Sequence, residues 1–187
     1  IILICTISFN SYSQFDIGYT EKFIEKGMAK GTWQKMNRSI VVEMDGSAEE
    51  IYQKTKKWIN ETYNDPNEVI KADTENEYIR LNGRAGSFIK LTSIGTSFFY
   101  DIRYSFEIRF KDGRFKFDVI DLDQFFEASD YTTAKWVQIT DIKVKNKKGK
   151  PVKDGVYNTT KLNGYFNDII NGIKDYGSNK SDKNDDW

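Results

Sequence analysis

Apolar and polar residues alternate without a break from Phe98 to Phe110. Phe98, Tyr100, Ile102, Tyr104, Phe106, Ile108 and Phe110 share one parity; Phe99, Asp101, Arg103, Ser105, Glu107 and Arg109 share the other. A period of two sustained over this length predicts a strand in a sheet that buries one face and wets the other. Asp112-Gly113 then marks a hairpin. A two-residue turn sets Phe110 opposite Phe115, Ile108 opposite Phe117 and Phe106 opposite Val119. A one-residue slip would oppose Phe110 to Arg114 and Ile108 to Lys116, mixing the two faces. The pattern therefore selects the first register and a type I′ turn. On the wet face it opposes Arg109 to Lys116 and Glu107 to Asp118. Those like-charge pairs are unfavourable, and the diagonals Arg109–Asp118 and Glu107–Lys116 are expected to offset them. After Val119 the parity changes, with Ile120 and Leu122 out of step, which predicts a bulge.

Upstream the period changes. Arg38 to Met44 holds the β-branched run Ile40-Val41-Val42, a strand ended by Asp45-Gly46. Ser47 and Glu50 make the S-x-x-E signature of a capping box. Ala48, Ile51, Thr55, Trp58, Ile59 and Thr62 then recur at helical spacing, and Asn64-Asp65-Pro66-Asn67 stops the helix. Glu68 to Asp73 and Glu77 to Asn82 read as strands around a polar turn, with a shorter strand at Phe88 to Thr92. Trp136 to Lys145 reads as the last strand, with a turn over Asn146 to Pro151. Leu162, Tyr165, Phe166, Ile169, Ile170 and Ile173 mark a final amphipathic helix. Gly164 and Gly172 inside it each weaken it by about 1 kcal/mol against Ala, so it depends on docking to the sheet. Near the start, Tyr19, Phe23, Ile24 and Met28 suggest a short helix that Gly27 and Gly31 weaken. The aromatic face of the hairpin, with Phe106, Ile108, Phe110, Phe115 and Phe117, is expected to pack against Ile51, Trp58, Phe166 and Ile170.

Ile1 to Phe9 is a short apolar run, followed by polar Asn10 to Gln14 with small Ser11 and Ser13. This reads as the end of a secretory signal peptide over residues 1–13, with a truncated start and a mature chain beginning at Gln14. The run is shorter than the roughly 20 residues needed to span a bilayer, and Ile4 before Cys5 weakens a lipoprotein reading. The domain plan is thus a leader, an extension over 14–37, one domain over 38–176 and a flexible tail over 177–187.

Composition narrows the chemistry. The 187 residues carry 28 Lys and Arg against 28 Asp and Glu, for a net charge of zero. That balance argues against a dedicated nucleic-acid binder. The chain has no His, and its one Cys is Cys5 in the leader. Nucleophile arrangements built on His are absent, as are zinc sites of His and Cys. No catalytic, cofactor-binding or metal-ligating set is expected.

Four clusters remain. Asp118, Asp121, Asp123, Glu127 and Asp130 suggest Ca²⁺, but Asp121 to Phe126 lacks the glycine and later glutamate of an EF-hand loop, so a solvated strand end is expected. Lys143, Lys145, Lys147, Lys148, Lys150 and Lys153 form a basic hairpin that could meet anionic lipid or polysaccharide. A solvated edge that discourages aggregation is the simpler reading. Glu107 and Asp118 would suit glycoside hydrolysis only inside a cleft. The wet face itself, with Arg103, Glu107, Arg109, Lys116 and Asp118, is the candidate interaction surface.

Ile40-Val41-Val42, Ala48-Glu49-Glu50-Ile51-Tyr52 with Trp58, Tyr104 to Ile108, and Lys111 to Lys116 carry a resemblance. Over Arg38 to about Asp123 the chain resembles the exported bacterial domain of unknown function 4468 family. The resemblance implies an α+β TBP-like fold, β-α-β(4-5)-α, with two main helices on one face of an antiparallel sheet. It also implies export, and it transfers no catalytic residue. Fold does not fix function, so the fold name is no argument for DNA binding. The leading expectation is a non-enzymatic periplasmic or envelope-associated module that binds another protein or envelope component. The alternatives are a carrier holding a small apolar ligand between sheet and C-terminal helix, and a carboxylate-based hydrolase.

Overall fold

The computed structural model describes residues 20–24, 31–35, 38–128 and 133–178. The leader reading falls outside them, as do Asp130 and most of the tail. In chain order the elements are β1 (Thr20–Ile24), β2 (Gly31–Lys35), β3 (Ser39–Glu43), α1 (Ala48–Thr62), α2 (Pro66–Val69), β4 (Ile70–Thr74), β5 (Tyr78–Ser93), β6 (Thr96–Lys111), β7 (Arg114–Phe126), β8 (Lys135–Gln138), β9 (Asp141–Asn146) and α3 (Lys153–Ser178).

The main sheet is antiparallel, in the order β3-β7-β6-β5-β4, with β8 added beside β7. The register of β6 on β7 is the one the alternation selects: Phe110 faces Phe115, Ile108 faces Phe117 and Phe106 faces Val119. The shift falls between Ser105 and Phe106, leaving Ile120 as the bulge residue. The Arg38 guanidinium secures that bulge, donating to the Ile120 carbonyl at 2.9 Å and to the Ile139 carbonyl at 2.7 Å.

On one face of this sheet lie α1 and α3. Ser47 caps α1 with the full reciprocal box: its hydroxyl accepts from the Glu50 N–H, and Glu50 accepts from the Ser47 N–H at 2.8 Å. The α1 stripe buries Ile51, Thr55, Trp58 and Ile59, and adds Tyr52, while Thr62 stays exposed in the last turn. From α3 come Leu162, Phe166, Ile170 and Ile173, all buried. Phe106 stacks on Phe117 at 4.8 Å, and Phe166 meets Phe117 at 6.1 Å and Tyr104 at 5.7 Å. The expected aromatic face and its helix partners therefore form one core.

Several local expectations change. Phe23 and Ile24 lie in strand β1 rather than a helix, because β1 pairs with β2; Tyr19 and Met28 fall outside the described residues. The segment from Trp136 to Lys145 is two strands. Ile139 donates its N–H to Leu122 at 2.8 Å, and beyond it β9 leaves the main sheet to pair with β2. The N-terminal extension thus builds a second sheet, β1-β2-β9. The strands read separately at Glu77 and Phe88 are one, β5, bent at a register shift between Ala85 and Ile89. The Asp112-Gly113 turn is not type I′, since only Gly113 has positive φ (75°). The final helix begins at Lys153, about two and a half turns before its apolar stripe.

Candidate functional site

Among the described residues, no helix covers the second face of the main sheet. Alternation along four strands places Arg80 (β5), Glu107 and Arg109 (β6), Lys116 and Asp118 (β7) and Val41 (β3) around a groove of about 900 Å³. Farther along the same face, Asn82, Arg84, Arg103, Ser105, Asp121 and Asp123 line a groove of about 630 Å³.

All five residues expected on the wet face are on it, but they are not equally wet. Arg103, Arg109 and Lys116 are exposed and Asp118 is half-buried, whereas Glu107 is only 3% exposed. Burial of Glu107 corrects the expectation of a uniformly solvated face. Two arginines lie over this side chain, Arg109 from its own strand and Arg80 from the neighbouring strand, whose register partner is Glu107. The Arg80 guanidinium donates to Glu107 Oε2 from Nε at 3.2 Å and from Nη2 at 2.8 Å. Arg109 donates to Oε1 at 2.6 Å. Hydrogen bonding to this carboxylate holds Arg80 above its ordinary value. Charge-assisted bonds at both oxygens keep the buried carboxylate from being an uncompensated ion.

The expected diagonals give way to shorter pairings. Arg109–Lys116 and Glu107–Asp118 are direct cross-strand neighbours as expected. Yet Arg109 pairs with Glu107 two residues back on its own strand, and Lys116 with Asp118 at 2.9 Å likewise. Residues i and i+2 share a face and lie about 7 Å apart, within reach of long side chains.

Sequence reasoning missed Trp136. It stands on β8, with its ring 5.0 Å from Phe125. The Arg84 guanidinium lies 5.0 Å from its ring centroid and that of Arg103 4.7 Å. Arg84 and Arg103 are direct cross-strand neighbours, and the indole face offsets their repulsion. Asp123 takes a 2.8 Å bond from Arg103, and Asp101 lies 3.8 Å from Arg84. Nothing in the local pattern around Trp136 signals this platform, since Arg84 arrives from a strand about fifty residues earlier.

The acidic stretch does not converge. Asp123 pairs with Arg103 and Asp118 with Lys116, and no group of three or more potential metal ligands occurs among the described residues. Asp130 lies outside them. Glu107 and Asp118 face each other across strands, but cations occupy both. No described helix is long and apolar enough to cross a membrane.

Comparison with known proteins places this architecture. Residues 39–124 match the model of the domain of unknown function (DUF4468) with TBP-like fold. A TBP-like protein from Parabacteroides distasonis is similar in structure, with a TM-score of 0.53 and 16% identity, over 75% of this chain and 91% of that one. A DUF4468 family protein from Bacteroides ovatus gives a TM-score of 0.56 and 17% identity, over 76% of this chain and 86% of that one. At these identities the likeness shows the fold. No curated protein matches.

Proposed function

We propose, from the premise that residues 39–124 carry this family's domain, that the chain is an exported, non-enzymatic binding or assembly module of the cell envelope. Its docking surface is the uncovered sheet face. One observation carries the reading: this face holds its charges in fixed positions. Glu107 is clamped by two arginines, and Arg84 and Arg103 lie against Trp136. Such pre-ordered charge over a broad, open surface suits recognition of a macromolecular partner, because little side-chain freedom remains to be lost on binding. The apolar run Ile1 to Phe9, followed by polar residues with small Ser11 and Ser13, supports export.

The alternatives fare less well. A carrier needs space between the sheet and α3, and there the rings of Tyr104, Phe106, Phe117, Tyr165 and Phe166 touch one another. A hydrolase needs a carboxyl free to give or take a proton. Guanidinium groups take both oxygens of Glu107, and Lys116 takes Asp118.

Capture from envelope extracts tests the reading. The double variant Arg103→Glu/Arg109→Glu should lose partners that the wild type retains. Arg103→Glu alone should change folding stability by only about 0–1 kcal/mol, as surface ion pairs do. Arg109→Glu should cost more, because it removes one of the two cations on buried Glu107. Unchanged capture by the double variant would remove this face from consideration. N-terminal sequencing of protein from the native host, with Gln14 first, tests export.

A further inference from the structure

The β5–β6 hairpin ends in an apolar tip. Leu91, Ile94, Phe98 and Phe99 are exposed there, Ile94 completely. The turn has positive φ at both central residues, Ile94 (47°) and Gly95 (80°). A β-branched residue is strained in that region, where Asn or Gly is not. With its side chain wholly in solvent, Ile94 gains no packing inside the molecule to offset the strain. Tyr157, from the first turns of α3, is also exposed and lies 6.3 Å from Phe99, ring to ring.

Cations flank this tip. Thr92 donates to Asp154 from its N–H at 2.6 Å and from its hydroxyl at 2.9 Å, fastening the hairpin to the start of α3. Lys153, the residue before Asp154, is therefore next to the hairpin, and the lysine-bearing turn over residues 146–150 precedes it in the chain. Lys147, Lys148, Lys150 and Lys153 are exposed. None forms an ion pair among the described residues.

We propose that the tip inserts into the headgroup region of an anionic lipid bilayer, with Ile94, Leu91 and Phe98 entering and the lysines resting on the lipid phosphates. An exposed apolar finger beside a cationic patch combines the two contributions that hold proteins at such interfaces. The backbone is suited to shallow entry, because Ser93 pairs with Thr96 and Thr92 with Ser97 across the turn, so few peptide groups lose water unpaired. The charge favours lipid phosphate over an apolar protein groove, which would complement only the tip. This surface is separate from the sheet face, and the inference rests on neither that face nor export.

Co-sedimentation of the full chain with vesicles tests it. The wild type should bind mixed phosphatidylglycerol–phosphatidylcholine vesicles, with affinity falling as salt rises, and bind phosphatidylcholine alone far more weakly. Ile94→Asp should lower the partition coefficient about tenfold or more. Lys148→Glu/Lys150→Glu should weaken binding to the anionic vesicles by a similar factor and flatten the salt dependence. Ile94→Asn separates membrane affinity from folding, since it should weaken binding while raising the melting temperature. Failure of the wild type to bind either vesicle, or equal binding by Ile94→Asp, would overturn the proposal. So would tip-dependent self-association in sedimentation without vesicle binding, which would make a second copy the occupant.

Discussion

At the scale of single residues, Glu107 and Phe106 are sequence neighbours with opposite surroundings. Phe106 is fully buried between the sheet and α3, stacked on Phe117. Truncation to Ala should cost about 3–5 kcal/mol, from lost transfer energy and the cavity left behind. Chemical denaturation reads this directly, and a loss below about 1 kcal/mol would mean that the core collapses around the gap. Glu107 faces the other way and is just as inaccessible, but through polar cover. Its carboxylate is covered by the guanidinium of Arg109 and by that of Arg80, a residue on the adjacent strand. Alternation correctly assigned it a face. It could not show that Arg80 would lie across that face.

At the scale of elements, the glycines of α3 carry opposite expectations. A Cβ on Gly164 would meet nothing within 4 Å, whereas one on Gly172 would come within 2.7 Å of Trp58 Nε1. Gly164→Ala should therefore stabilise the protein by about 0.5–1 kcal/mol, the helix propensity difference alone. Gly172→Ala should destabilise it, because the indole of α1 must move to admit the methyl. Thermal melts of the two variants should shift in opposite directions, and a shared direction would contradict the α1–α3 packing. From sequence, both glycines read as equal weaknesses of an isolated helix. The approach of Trp58 makes one of them a packing requirement, and that contact crosses more than a hundred residues of chain.

At the scale of the whole molecule, the core that joins sheet and helices contains tyrosines resistant to ionisation. Burial pushes Tyr63 up to about 12, and burial together with the bond from its hydroxyl to Asp73 pushes Tyr52 to about 12. Tyr104, buried and bonded to the Tyr165 hydroxyl at 2.5 Å, moves in the same direction. An unfolded tyrosine loses its proton near pH 10, about two units earlier. Between those values the folded chain binds more protons than the unfolded one, so stability falls as pH rises. The tyrosine contribution is full below about pH 10 and is lost progressively towards pH 12 and above. Urea midpoints measured from about pH 8 to pH 12 should hold steady and then drop. Tyr52→Phe, which has no proton to lose, should make the drop shallower. A midpoint unchanged across the range would contradict the burial of these rings.

The sequence by itself determined what depends on near neighbours. The faces of β6, its register on β7, the Ile120 bulge, the capping box of α1 and the buried stripe of α3 each follow from a repeat or motif within one or two elements. A period of two or of 3.6 states which side chains share a surface, and one apolar face admits one register. Only the tertiary structure decided what lies against each surface. It brought Arg80 to Glu107 and Trp136 to Arg84 and Arg103. It sent β9 to the second sheet after Ile139. Among the described residues it left the far end of the β5–β6 hairpin uncovered, with Phe98 exposed on the face that alternation forecast to be buried throughout. Periodicity is local, whereas burial depends on partners from distant parts of the chain. The same alternating pattern therefore makes core at one end of a strand and an open apolar tip at the other.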